Sequence, residues 1–274
     1  MVLNHENSPE EGQHLISYFD LKGVVVCDEP GFNFARKCNL GAQQSAGDIL
    51  VFLNDDTDFQ TIGWTSHVIS LLQEDDVACV GGMLLNADGS VQSCGDNVGR
   101  NSAVHYVPKP SASSVGDMMH RYIADHETTS ITGAFLCCKK DTFMTMDGFS
   151  TTFPNSFQDV DFCLRARSKG LRCITSPHVR LLHFESASRN PEVDASTLWL
   201  IRKFHPVLMG SVDPFAFYHY EIARVPFFTL TSARYYLGQL KRLVRRVAFI
   251  LLVKLSREPR QPRGILDKSE WRIH

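Results

Sequence analysis

Three short clusters carry the side chains able to do chemistry: Asn54-Asp55-Asp56, Gln158-Asp159-Val160-Asp161, and His183 with Glu185. The first follows Ile49-Leu50-Val51-Phe52-Leu53, five apolar residues that suit a buried strand of a parallel sheet. Adjacent carboxylates at the end of such a strand repel one another unless water, a basic side chain or a metal ion lies between them. Asp56 with an imidazole such as His183 would make a hard, oxygen-rich site with room for phosphate oxygens, which suits Mg2+ or Mn2+ better than zinc. A plain turn after a strand accounts for Asp55, Asp56 and Asp58 equally well when they are taken alone.

Asp159 and Asp161 straddle the first turn of a predicted helix, where the dipole favours carboxylates. That is reason enough for a structural role, and it also suits Asp159 to act as a general base. His183 taken alone reads as a satisfied histidine at a strand end.

The elements that must hold these groups alternate between strand and helix. Residues 9–19 have helical spacing (Leu15, Ile16, Phe19), and "GVVVC" at 23–27 is a short strand. A helix follows, with Asn33 to cap its start and Gly47 its end, and then the strand at 49–53. Two β-runs separated by such a helix form a βαβ unit, which predicts an α/β fold with a mostly parallel sheet covered by helices on both faces. "GWTSHVISLLQ" continues as an amphipathic helix and "VACVGGMLL" as a strand, while residues 86–130, rich in Gly, Ser, Asn and Pro, read as loop with short strands. "ITGAFLCCKKDTF" is a strand running into a helix start, and "SFQDVDFCLRARSKG" is a helix closed by Gly170. "LRCITSPHVRLLHFESASR" supplies two short strands and a turn. In open α/β sheets ligands collect at the carboxyl ends of the strands, where Asn54-Asp55-Asp56 is expected.

Composition narrows the class. With 274 residues, 43% hydrophobic and 21% charged, the chain can bury a substantial core and is neither fibrous nor disordered. A net charge of -2 gives no general reason to expect nucleic acid. Eight cysteines occur without a CxxC pair, mostly inside apolar or helical stretches, which argues against a disulfide framework or zinc site and for a reducing cytoplasm. The polar, acidic amino terminus does not read as a signal or transit peptide, and no apolar run approaches the roughly 20 residues of a membrane span.

Taken together, "FNFARKCNLGAQQSAGDILVFLNDDT", "ITGAFLCCKKDTFMTMDGFS", "FQDVDFCLRARSKGLR" and "HFESASR" resemble the successive motifs of family 2 glycosyltransferases with the GT-A fold. The resemblance is nearest to bacterial enzymes of O-antigen and other surface polysaccharides, including rhamnosyltransferase-like members, and runs from about residue 1 to about 206. It implies that Asn54-Asp55-Asp56 is the DxD-type element, with Asp56 a metal ligand and Asp55 near the nucleotide ribose or the metal. It further implies that Asp159 is the catalytic base and His183 an additional metal ligand. Gly133 and Ala134 would shape the floor under sugar and acceptor, Arg36 would approach the diphosphate, and Asp161 and Glu185 would serve as acceptor-side or auxiliary groups. The expected activity is inverting, metal-dependent transfer of a sugar from a UDP-, dTDP- or GDP-sugar to a hydroxyl of a surface-polysaccharide or lipid-linked glycan.

Two departures from the family pattern stand out. Relatives open with a strand and loop resembling "VSIIIPTYN", whereas "MVLNHENSP" here occupies the place of their second strand, so the first βα unit is expected to be missing. Gln158 stands where many relatives carry Glu, Asn or another polar residue, a smaller departure that should leave the base in place. An alternative reading is therefore a catalytically impaired, truncated glycosyltransferase acting as a binding or partner subunit. A nucleotidyltransferase or phosphohydrolase would use the same carboxylates but should show a glycine-rich phosphate loop or a second metal cluster, and the sequence has neither.

The expected domains are 1–207 for the glycosyltransferase unit and 208–274 for a helical, basic extension. Within the extension, Ala233, Leu237, Leu240, Val244, Val247 and Leu251 form one helical stripe, flanked by Arg234, Lys241, Arg242, Arg245, Arg246 and Lys254. Such a helix can lie on an anionic membrane, placing the protein at the inner face of the cytoplasmic membrane. A helix packed on the domain or on a partner would show the same stripe.

Overall fold

The computed structural model describes residues 2–4, 14, 17, 25–27, 33–99, 102–104, 122–154, 156–184 and 195–205. Strands β1 (Val2–Asn4) and β2 (Val25–Cys27) pair in parallel. Of the helix expected over 9–19 only His14 and Ser17 are described, and both are helical. Helix α1 (Phe34–Gln44) begins where the Asn33 side chain accepts the Arg36 N–H at 2.9 Å, the cap expected from sequence. It buries Ala35, Asn39 and Ala42, whose spacing puts them on one face.

Strands β3 (Ile49–Leu53) and β4 (Thr57–Phe59), helix α2 (Trp64–Leu72) and strand β5 (Val77–Leu85) come next. The 86–130 region contributes the short strands β6 (Val91–Ser93), β7 (Asn97–Gly99), β8 (Ser102–Val104) and β9 (His126–Thr128). Then follow β10 (Phe135–Lys139), α3 (Lys140–Thr145), α4 (Gln158–Ser168), β11 (Arg172–His183) and α5 (Ala195–Phe204). Glu185 and residues 206–274, including the expected extension, lie outside the described residues. Among the described residues no helix is long and apolar enough to cross a membrane.

The α/β class holds, but the sheet is mixed. Its strands run β3-β10-β5-β11-β4, with β6 added to β5 and β9 to β11. β10 is antiparallel to both β3 and β5, so those two share a direction with β10 between them, and β11 runs parallel to β5. The reason lies in the connection: Phe135 opens β10 opposite Leu53, the last residue of β3, so the chain re-enters at the strand ends and must run back. The expected two short strands near the end are one strand, β11, with a register shift between Ser176 and Arg180 around Pro177. β3, expected to be buried on both faces, buries Leu50 and Phe52 but leaves Val51 and Leu53 exposed among the described residues, because it lies at one end of this strand order.

Period-two alternation sends the sheet's side chains to two cores. Cys79, Leu136 and Cys138 join Phe52, Phe143, Phe149 and Phe162 on the α1 and α4 side, where the rings of Phe52, Phe143 and Phe149 stand 4.7 to 5.1 Å apart. Val80, Phe135 and Cys137 point the other way, against Val68 and Leu72 of α2. Gly81 and Gly82 answer a packing demand in β5. A Cβ on Gly81 would lie 2.4 Å from Ile131 Cγ2, and one on Gly82 would lie 2.6 Å from the Val179 carbonyl oxygen.

Candidate active site

The turn after β3 is clamped from two sides. Asn54 N–H donates to the Ala134 carbonyl at 3.0 Å, and Phe184 N–H donates to the Asp56 carbonyl at 2.9 Å. Within the turn, Thr57 Oγ1 donates to the Asn54 carbonyl at 2.7 Å. β4 pairs with the end of β11, with Thr57 opposite His183, so the antiparallel register carries the imidazole to the carboxylate turn. His183 Nε2 lies 3.2 Å from Asp56 Oδ1 and 3.4 Å from Asn54 Nδ2. Asp55 between them is exposed.

The other ring nitrogen fixes the chemistry of this pair. His183 Nδ1 lies 2.6 Å from Gln92 Oε1. An amide oxygen only accepts, so Nδ1 carries the proton and a neutral ring turns its Nε2 lone pair toward Asp56. Two electron-pair donors 3.2 Å apart call for positive charge between them, either a proton on the ring or a cation. Asp56 and His183 would hold such a cation between them, and a nitrogen-plus-carboxylate set suits Mn2+ or Mg2+.

Asp159 is tied to the same place through two consecutive residues. Its Oδ2 accepts the Gly133 N–H at 2.6 Å and its Oδ1 accepts the N–H of Val160 at 2.8 Å. Gly133 thus holds Asp159 while Ala134 holds Asn54, and the segment before β10 bridges the two carboxylate clusters. A Cβ on Gly133 would stand 3.4 Å from Asp159 Oδ2 and 3.7 Å from Phe34 at the start of α1. Arg36 is exposed on the first turn of that helix. Burial first, then the charge of Asp159, pushes the Cys38 thiol of α1 up to about 12.

Asp161 is engaged elsewhere. Its Oδ2 meets Arg165 Nε at 2.8 Å and its Oδ1 meets His205 Nε2 at 2.8 Å. Arg165 continues to the carbonyls of Met146 and Gly148, in the turn where Asp147 and Gly148 take positive φ. These contacts clamp α5 and that turn onto α4, and both oxygens of Asp161, expected on the acceptor side or as an auxiliary group, take charged or ring N–H partners.

Two residues near the site were missed. Gln92 and Asp96 lie in the region read as loop, and nothing in "VQSCGD" marks them, because their importance depends on β6 folding back onto β5. Asp96 is buried, accepts from Ser93 Oγ at 3.1 Å, and exchanges backbone hydrogen bonds with Ser130. Burial, and then the negative charge of Asp159, pushes its carboxyl well above the usual range.

A separate group of potential ligands, the thiols of Cys79, Cys163 and Cys173, lies within 4.8 Å of one another in the core. Hydrogen bonding to the sulfurs of Cys163 and Cys173, and then burial, raises the thiol of Cys79, while hydrogen bonding to Cys163 and Cys79 lowers that of Cys173.

No protein-family model matches the chain. GalNAc-T7, solved with UDP, GalNAc and Mn2+, superposes with a TM-score of 0.52 at 12% identity, covering 74% of this chain and 41% of that one. The fold is the GT-A glycosyltransferase fold. Among curated proteins, the O-antigen biosynthesis protein RfbC of Myxococcus xanthus is 28% identical over 218 residues, which is 78% of this chain and 17% of RfbC. The uncharacterised protein y4gI of Sinorhizobium fredii is 29% identical over 174 residues, 63% of this chain and 19% of that protein. The chain thus spans less than a fifth of the length of either relative. In the GT-A frame the strand-end turn, the segment before β10, the start of α4 and the end of β11 converge, bringing together Asn54, Asp56, Gly133, Ala134, Asp159 and His183.

Proposed function

We propose that the chain is an inverting, metal-dependent glycosyltransferase unit that moves a sugar from a nucleotide-diphosphate donor to a hydroxyl of a surface-polysaccharide or lipid-linked glycan. The reading rests above all on the 3.2 Å approach of His183 Nε2 to Asp56 Oδ1, tied through Ala134 and Gly133 to Asp159. Asp56 and His183 would hold Mn2+ or Mg2+. Such an ion neutralises the charge that develops on a departing diphosphate. Asp159 accepts the proton of the attacking acceptor hydroxyl, and the backbone N–H groups of Gly133 and Val160 keep its carboxylate aimed. One base serving one displacement on the face opposite the leaving group gives inversion. The similarity to an O-antigen biosynthesis protein supports a polysaccharide acceptor, and the apolar stripe flanked by basic residues at 233–254 supports approach to a membrane that carries it.

Isothermal titration with UDP, dTDP and GDP, each with and without Mn2+, tests the reading. Metal-dependent binding of one nucleotide is expected in the wild type and its loss in Asp56→Ala. Equal nucleotide affinity in both proteins overturns the metal assignment, and a folded wild type that binds none of the three overturns the donor site.

A further inference from the structure

We propose that Gln92 is a positioning residue: it holds His183 in the Nδ1-protonated form and so turns the Nε2 lone pair toward Asp56. The inference rests on the reading of Asp56 and His183 as metal ligands and adds the group that makes His183 competent for that task.

The sheet aims Gln92 by an irregularity. Along the antiparallel pairing of β6 with β5, Leu84 faces Ser93 but the next residue, Leu85, faces Val91. Gln92 is the residue left over. An extra residue of this kind forms a bulge, which bends the strand and redirects one side chain, and bulges concentrate beside functional sites for that reason. Here the redirected side chain is only 8% exposed, and its Oε1 lies 2.6 Å from His183 Nδ1. A buried amide that lost this bond would pay the full cost of its desolvation.

The consequence follows from the ring's two nitrogens. A neutral imidazole carries one proton, and in water the tautomers interchange. Committing the proton to Nδ1 leaves Nε2 as the only lone-pair nitrogen, and that atom already lies 3.2 Å from Asp56 Oδ1. Asn54 Nδ2, at 3.4 Å, approaches the same lone pair. Without Gln92 the ring is free to protonate Nε2 or to rotate, and each costs metal affinity before any ligand is lost. Partners of this kind are worth about 10–100-fold in metal affinity where they have been removed.

The test compares wild type, Gln92→Leu, Gln92→Glu and His183→Ala by two independent readouts, with thermal melting to confirm that each is folded. The first is the ring 15N spectrum of metal-free protein labelled at histidine, recorded at a pH high enough that the ring carries a single proton, with the His183 signals assigned by their absence in His183→Ala. Wild type should show a protonated Nδ1 and an unprotonated Nε2, Gln92→Leu a mixture, and Gln92→Glu the wild-type pattern restored by another acceptor. The second is Mn2+ affinity by electron paramagnetic resonance in the presence of UDP, dTDP or GDP in turn. Gln92→Leu should weaken it about 10–100-fold and Gln92→Glu should recover it. A singly protonated wild-type ring that carries its proton on Nε2, or a folded Gln92→Leu that binds Mn2+ within twofold of wild type, overturns the proposal. Failure of the wild type itself to bind Mn2+ with any of the three nucleotides overturns the metal reading instead, whatever the ring spectrum shows.

Discussion

Asp159→Asn separates chemistry from binding, and the structure sets the size of both effects. Each carboxylate oxygen takes one backbone N–H, at 2.6 Å from Gly133 and 2.8 Å from Val160. An amide has a single acceptor oxygen, so one of these N–H groups must face an NH2 instead. A charge-assisted bond is then lost and a buried N–H stranded, a cost of about 1.5–3 kcal/mol. At roughly 2–4 °C per kcal/mol for a chain of this size, the melting temperature should fall by about 3–12 °C. Removing the base should slow transfer by about 100- to 10,000-fold, which is roughly 3–5.5 kcal/mol on the barrier. On the proposed reading nucleotide binding draws on Asp56 and His183, and it should change by less than about threefold. The assay is release of nucleoside diphosphate in the presence of acceptor, run well below the variant's melting temperature, with isothermal titration of the nucleotide in parallel. Turnover within tenfold of wild type in a folded variant would show that Asp159 is not the base. An unchanged melting temperature would show that the two N–H contacts do not hold it.

Other expectations concern groups that support the site. Asp96 should make stability depend on pH: its folded carboxyl is raised by burial and by Asp159, so unfolding releases a proton. Its contribution is therefore fully present below the unfolded value near 4 and declines as pH rises toward the folded value, by up to about 1.4 kcal/mol per pH unit. Asp96→Asn should flatten that slope and be the more stable protein at neutral pH, and parallel urea-melt curves across pH would contradict this. Asn39 ties α1 to the chain at Phe149, donating to its carbonyl at 2.8 Å and accepting its N–H at 2.9 Å. Asn39→Leu strands both backbone groups and should cost about 2–5 kcal/mol in urea unfolding, and a loss below 1 kcal/mol would refute the account.

The strand at 49–53, the capped helix after Asn33 and the helix closed by Gly170 were legible in the sequence, and so were Asp56, Asp159 and His183 as candidate groups, which the structure places at one end of the sheet. Each depends on local information: an apolar run, a side chain three residues from the N–H it caps, a glycine at positive φ, a carboxylate in a first helical turn. Strand order was not legible in the same way. β10 enters between β3 and β5 because Ala134 meets Asn54, a pairing between residues far apart in the chain that no local period encodes. The same long-range contacts divided the acidic residues of α4. Asp159 turns toward Gly133, whereas Asp161, two positions on and so on another face of the helix, meets Arg165 and His205. Gln92 shows the limit most plainly. It has no motif around it, and only a one-residue bulge, set by how β6 settles on β5, brings its amide to His183. Residue type fixed what chemistry was available, and tertiary packing decided which groups would meet to perform it.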